Sequence, residues 1–177
     1  MYKLLVGLGN PNKQYQSTRH NLGSTLIQVY AQKHDVKLSL KPSFKTKVGI
    51  YRHDNTNIIF AVPSTYMNLS GQAVSSIANF YKINPQDIYI AHDDLDIGVG
   101  DSKIQFDRGP AGHNGIKSII ESLGTQSFWR LRIGIDHPKD NILVEDYVLM
   151  SPTLNEKDKI KQSIDKIVED LDQILGL

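Results

Sequence analysis

The chain has no cysteine among its 177 residues. Disulfides, thiol nucleophiles and cysteine-ligated zinc or iron–sulfur centres are therefore excluded. No apolar run approaches the ~18 residues of a membrane-spanning helix, and the first residues lack the basic segment and small-residue cleavage pattern of a secretory signal. The expectation is a cytoplasmic chain without membrane contact. Charge of one sign is also missing: 20 Lys and Arg stand against 19 Asp and Glu, a formal net charge of +1. Bulk polyelectrolyte attraction is excluded as the main source of binding, so any nucleic-acid contact must come from a local patch. No internal repeat, low-complexity tract or linker interrupts the chain. What is present is the 40% hydrophobic and 22% charged content of a globular protein, at a length that fits one domain, residues 1–177, with a sizeable core.

The richest stretch is Val6 to Gly23. Lys3–Val6 is a short apolar run that suits a buried strand, and Gly7 and Gly9 let the backbone turn sharply as it leaves. The loop then presents Asn10, Tyr15, Arg19, His20 and Asn21, with His20 as its strong acid–base group. Gly-x-Gly after a first strand suggests a dinucleotide turn, but Asn12 stands where the third glycine would fall. Pro11 sits where the helix should begin, and no acidic residue follows at the distance needed to hold a ribose. A glycine turn that shapes a polar loop is the better reading.

Leu22, Leu26, Val29 and Tyr30 recur at helical spacing and predict an amphipathic helix over about 21–34. Lys47–Arg52 and Asn57–Val62 read as strands joined through a turn at residues 53–56. A second polar loop, residues 63–71, follows; Ser70 is expected to cap a helix bearing Val74, Ile77, Ala78 and Tyr81, and Asn68 is presented just before it. If the strands before these two loops are parallel neighbours, Asn68 lies close to the first loop. Met67 beside it can equally be core filler. Asp87–Asp96 is a strand running into acids, and Lys103–Asp107 another strand. Residues 108–115 form a glycine loop that delivers His113 and Asn114 to a helix with Ile116, Ile119, Ile120 and Leu123 on one face and Gly124 as its stop. Trp129–Ile135 reads as a strand with alternating arginines, and Leu143–Met150 as a weaker strand. Thr153-x-x-Glu156 is a capping-box pattern opening a helix with Ile160, Ile164, Ile167, Leu171 and Ile174 as its stripe.

The strand-to-loop junctions thus collect Asn10 and His20, Asn68, Asp93, and His113 with Asn114. An amide donates and accepts without changing charge, so converging asparagines suit the holding of a carbonyl, a ribose hydroxyl and a water together. If His20 meets Asp93, the carboxylate fixes the imidazole tautomer and leaves the other ring nitrogen to accept a proton from water. Ser24, Ser64 or Ser70 could complete a Ser-His-Asp set, but none lies in a Gly-x-Ser-x-Gly elbow. His92, Asp93, Asp94 and Asp96 also invite a metal-dependent phosphoesterase reading, because hard cations favour carboxylates and imidazole suits transition metals. Spacing alone leaves that open.

Val6-Gly-Leu-Gly-Asn-Pro, Tyr15, Thr18-Arg-His-Asn-x-Gly23, Tyr66-Met-Asn-x-Ser-Gly71, His92–Asp96, Gly112–Gly115 and Arg130–Ile135 resemble, in order and spacing, bacterial peptidyl-tRNA hydrolase. The resemblance runs from residue 3 to about 150. It implies an α/β fold, a twisted mixed sheet surrounded by helices, in a monomer that needs no metal or cofactor. The implied activity is cleavage of the ester joining a stalled peptide to the terminal ribose of tRNA. Position by position it implies His20 as general base, Asp93 as the carboxylate holding it, and Asn10 and Asn68 as substrate ligands near the ester, with Met67 along the peptide channel. Asn114 would position water or stabilise the oxyanion, Tyr15 and His113 would line the way in, and Lys103 and Arg132 would clamp the tRNA 5′-phosphate. The chain departs from the pattern at Asn12, at Gln105 where a second basic residue is common, and at Arg108–Ala111, where the approach to His113 is usually richer in glycine. Retention of the acid–base set separates this reading from a non-catalytic RNA-binding relative.

Overall fold

The computed structural model describes residues 1–177. Its strands are β1 (Tyr2–Gly7), β2 (Ser39–Lys41), β3 (Thr46–His53), β4 (Thr56–Pro63), β5 (Ile88–Asp94), β6 (Ser102–Phe106) and β7 (Trp129–Gly134). Its helices are α1 (Leu22–Lys33), α2 (Ser70–Tyr81), α3 (Asn114–Leu123), α4 (Val144–Val148) and α5 (Leu154–Leu175). The strands build one seven-stranded sheet in the order β2-β3-β4-β1-β5-β7-β6. The four central strands β4, β1, β5 and β7 are parallel, and the flanking β2, β3 and β6 are antiparallel to their neighbours.

Central parallel strands are covered on both faces, which is why they read as near-continuous apolar runs. One face of the sheet, with Leu5, Phe60, Tyr89, Leu131 and Ile133, packs against α1 and α5. The other, with Leu4, Val6, Ile59, Ala61 and Ile90, packs against α2 and α3. Parallel alignment sends the loops leaving β1, β4 and β5 out at the same end of the sheet, the usual place for a ligand in such folds.

The step from β1 into α1 depends on close backbone approach. A Cβ on Gly23 would lie 2.0 Å from the carbonyl oxygen of Ala91 in β5, and one on Gly7 would lie 2.4 Å from the carbonyl oxygen of Gly23. Real side chains tolerate neither, so glycine lets the first turn of α1 rest directly on the two strands. Residues 19–21, a single 3₁₀ turn leading into α1, are thereby held over the end of β5.

Three local expectations are corrected, and one strand is added. Residues 143–150 contain α4 and no strand: Leu143 takes an extended cap conformation, and Glu145 and Asp146 occupy the first turn, where the helix dipole favours acids. β6 already occupies the edge beside β7, and Tyr147 is the buried residue of this segment, its hydroxyl donating to the carbonyl of Ile135 at 2.6 Å. Ser70 does not cap α2; it is the first helical residue, and its hydroxyl donates to the Met67 carbonyl at 2.8 Å, closing the preceding turn. β2 is a strand the sequence pattern does not announce. The stripe of α5 ends on Leu175, with Ile174 39% exposed. The capping box at Thr153 and Glu156 and the Gly124 stop form as expected.

Candidate active site

Asp93 is the penultimate residue of β5, a strand buried along its whole length, and two histidines converge on its carboxylate. His20 Nδ1 lies 2.9 Å from Oδ1 and 3.1 Å from Oδ2, and His113 Nε2 lies 3.1 Å from Oδ1. His113 is also the N-cap of α3: its Nδ1 accepts from the backbone N–H groups of Gly115 and Ile116 at 3.1 and 3.3 Å. An Nδ1 that accepts carries no proton, so His113 keeps its proton on Nε2 and donates it to Asp93. His20 donates from Nδ1, which leaves its Nε2 to a cavity of about 270 Å³ lined by His20, Asp93, His113 and Asn114 together with Leu95 and Val144.

Electrostatics follow from this wiring. Burial alone would depress the His20 imidazole, but the charge of Asp93 and its hydrogen bond together outweigh that and raise the pKa above the ordinary 6.5. Burial would push Asp93 upward, yet the two histidines hold its carboxyl well below the usual range, so it stays ionised. His92 behaves oppositely: burial, aided by its neighbour His113, pushes it down to about 3. It is a neutral ring packed edge-on against His113, centroids 4.9 Å apart, with Nδ1 donating to the Asp93 carbonyl at 2.7 Å.

Strand alternation also decides among the acids of residues 92–96. Successive side chains of β5 point to opposite faces, so Asp93 faces α1 while His92 and Asp94 turn to the other side. Asp94 is bound there by Arg132, Nε to Oδ2 at 2.7 Å, and exposed Asp96 pairs with His137. The four residues considered for a metal do not converge. His20, Asp93 and His113 do offer ligand atoms within 4.8 Å of one another, but the two ring nitrogens facing Asp93 already donate to it. The set is held together by hydrogen bonds centred on Asp93.

Asn10 is fixed from two sides. Its backbone N–H donates to Asn21 Oδ1 and its carbonyl accepts from Asn21 Nδ2, both at 2.9 Å, and its own Oδ1 accepts the Met67 N–H at 2.9 Å. The Asn10 side-chain NH₂ is left as the free donor. Asn10 lines a polar groove of about 490 Å³ that continues past Gln16 and Pro63 to Lys47. Met67 is buried, with its sulfur lying against Gly115 at the start of α3. Asn68 and Asn114 are exposed, and Tyr15 is half-buried. Lys103 and Arg132 face each other across β6 and β7, but only Lys103 is exposed. Arg132 is buried and bound to Asp94 and to Gln105 Oε1 at 2.9 Å, so Gln105 supports the arginine in place of a second cation.

Some participants are not apparent from motif chemistry. Asn21 belongs to the opening motif, yet its clamp on Asn10 is visible only in three dimensions. Arg19, buried beside His20, donates to the carbonyls of Tyr147, Met150 and Ser151, pairs with Glu156 at 3.0 Å and lies 4.0 Å over the Tyr147 ring. It ties the loop that carries His20 to the junction of α4 and α5. Val144, Glu145 and Val148 of α4 line the His20 cavity; reading 143–150 as a strand hid them.

The family model described as peptidyl-tRNA hydrolase matches residues 4–176. A peptidyl-tRNA hydrolase of Francisella tularensis subsp. novicida is 43% identical over 174 residues, covering 98% of this chain and 91% of that protein. One of Ruthia magnifica subsp. Calyptogena magnifica is 44% identical over 172 residues, covering 96% and 90%. The crystal structure of peptidyl-tRNA hydrolase from Acinetobacter baumannii superposes with a TM-score of 0.90 at 37% identity, covering 95% of this chain and 85% of that one. Matched in sequence along nearly its whole length and in fold, the chain belongs to the peptidyl-tRNA hydrolase family.

Proposed function

We propose that this member of the peptidyl-tRNA hydrolase family cleaves the ester between a peptide and the 3′-terminal ribose of tRNA with water activated by His20. The observation that carries the mechanism is the hydrogen bonding of Asp93 to both His20 Nδ1 and His113 Nε2, which leaves His20 Nε2 to the cavity. In the first step Nε2 takes a proton from water as the oxygen attacks the ester carbonyl, and the ionised Asp93 stabilises the imidazolium that forms. The tetrahedral oxyanion is met by the side-chain amide of Asn114, which stands at the cavity rim. Collapse breaks the ester bond; the imidazolium returns its proton to the leaving ribose oxygen, and the peptide departs as a carboxylic acid.

The free NH₂ of Asn10, with Asn68 and Met67, serves the acyl side of the substrate, and Tyr15 and His113 the way in. Lys103 meets the tRNA 5′-phosphate as a point charge, with Arg132 as the braced support opposite it in the register. It acts as a monomer in this reading, and the biological setting is recycling of tRNA from prematurely released peptidyl-tRNA in the cytoplasm.

The test is release of tRNA from an N-blocked aminoacyl-tRNA, with and without a chelator, by the wild type and by His20→Ala. Turnover is expected to survive the chelator. In His20→Ala it should fall by roughly 10²- to 10⁴-fold, with tRNA affinity retained. A chelator-sensitive wild type, or an active alanine variant, would remove His20 as the base.

A further inference from the structure

Across the sheet from Lys103, the edge formed by β2 and β3 carries charge of one sign. Between Asp35 and Asp54 the chain places Lys37, Lys41, Lys45, Lys47 and Arg52 and no acid: five of its 20 basic residues and none of its 19 acids. All five are exposed, and none is engaged in an ion pair. In a chain with a net charge of +1 this is the local patch that overall composition does not provide.

Two of the five, Lys37 and Lys41, border an aromatic groove, while Lys47 turns to the Asn10 groove. Phe44, Phe80 and Tyr81 form the walls of a concavity of about 480 Å³ floored by Val48, Gly49 and Ile50, and Lys37 and Lys41 stand on its rim. The rings run in contact, with centroids 5.4 Å apart for Phe44 and Phe80, 4.9 Å for Phe80 and Tyr81, and 5.0 Å for Tyr81 and Tyr2. Phe80 is 68% exposed and adds little to the core. Open ring faces next to unpaired ammonium groups are the two components of a site for single-stranded nucleic acid, the rings stacking bases and the lysines neutralising phosphates. The concavity argues against a lipid surface, which would need the rings on a convex face.

We infer that this groove binds an unpaired stretch of RNA, with a base stacked on Phe80 and backbone phosphates on Lys37, Lys41 and Lys45. The choice of RNA rests on the peptidyl-tRNA reading; the groove itself lies on the sheet edge away from the His20 cavity.

The experiment is fluorescence anisotropy with a labelled oligouridine of about twelve nucleotides, alongside hydrolysis of an N-blocked aminoacyl-tRNA by the same preparations. Binding by wild type and by His20→Ala is expected to be equal. Phe80→Ala should weaken it by roughly 5- to 150-fold, the worth of one stacked base. Lys37→Ala with Lys41→Ala should lower the salt slope by about 0.7 for each phosphate that is no longer neutralised. Hydrolysis should be unchanged in all three groove substitutions. Wild type that hydrolyses its substrate without binding the oligonucleotide would overturn the inference. So would equal binding by wild type and Phe80→Ala, or binding of anionic phosphatidylserine vesicles in place of the oligonucleotide. Wild type that binds the oligonucleotide but fails to hydrolyse would count against the functional reading and uphold the groove.

Discussion

As the proposed base, His20 has to be basic and sheltered at once, and these demands oppose each other. Shelter lowers an imidazole pKa and a neighbouring carboxylate raises it, and here the carboxylate prevails. A general base works in its neutral form, so kcat/KM should rise with pH and reach half its plateau above 6.5, the ordinary histidine value. In Asp93→Asn the raising contribution disappears while burial stays. The acid limb of the pH profile should then move below that value as the rate falls, and an unmoved limb would dissociate Asp93 from the titration. Much of this was legible in the residues themselves, because a histidine, a carboxylate and several amides at loop positions restrict the chemistry that can follow. Which of Asp93, Asp94 and Asp96 meets His20 was not legible from spacing; pleat alternation separates Asp93 from Asp94, and Asp96 lies beyond the strand, paired with His137. Nor could spacing show that Arg132 is buried against Asp94.

Among the elements, α1 has the most exacting seat. Its first turn lies so close to β5 that Gly23→Ala must separate the two, at a cost of about 1–3 kcal/mol for overpacking. The displacement also carries His20 away from Asp93, so kcat should fall by more than the loss of folded protein explains; denaturant titration beside single-turnover kinetics checks this. Helices were legible where a long apolar period met a clear stop, as in α3 before Gly124 and α5 after Thr153. They were not where the element is one turn long. Val144, Tyr147 and Val148 keep the i, i+3, i+4 spacing of a helix, but in so short a stretch the β-branched and aromatic residues weigh toward a strand, and the hydroxyl of Tyr147 reaching Ile135 is a tertiary fact. The consequence reaches the site, since α4 forms one wall of the His20 cavity and Arg19 fastens it there.

At the level of the whole molecule, the α/β class came from the resemblance to peptidyl-tRNA hydrolase, and the strand order was not legible, because β2 is too short and too exposed to leave a hydrophobic signal. The same core that closes one face of the sheet sets the stability of the protein. Leu171, fully buried under α5, should cost about 2–5 kcal/mol on replacement by alanine, measured as a fall in the denaturant midpoint at unchanged m-value. Function should follow only through the folded fraction, because Leu171 lies in the apolar core and lines no part of the His20 cavity. A different economy governs the start of α3. The ring that caps this helix is also the second donor to Asp93, so the amides of Gly115 and Ile116 select the tautomer that the carboxylate requires. Helix folding and proton placement are here one event: were the first turn of α3 to fray, His113 would be free to exchange tautomers, and the second hydrogen bond to Asp93 would be lost without any side chain being altered.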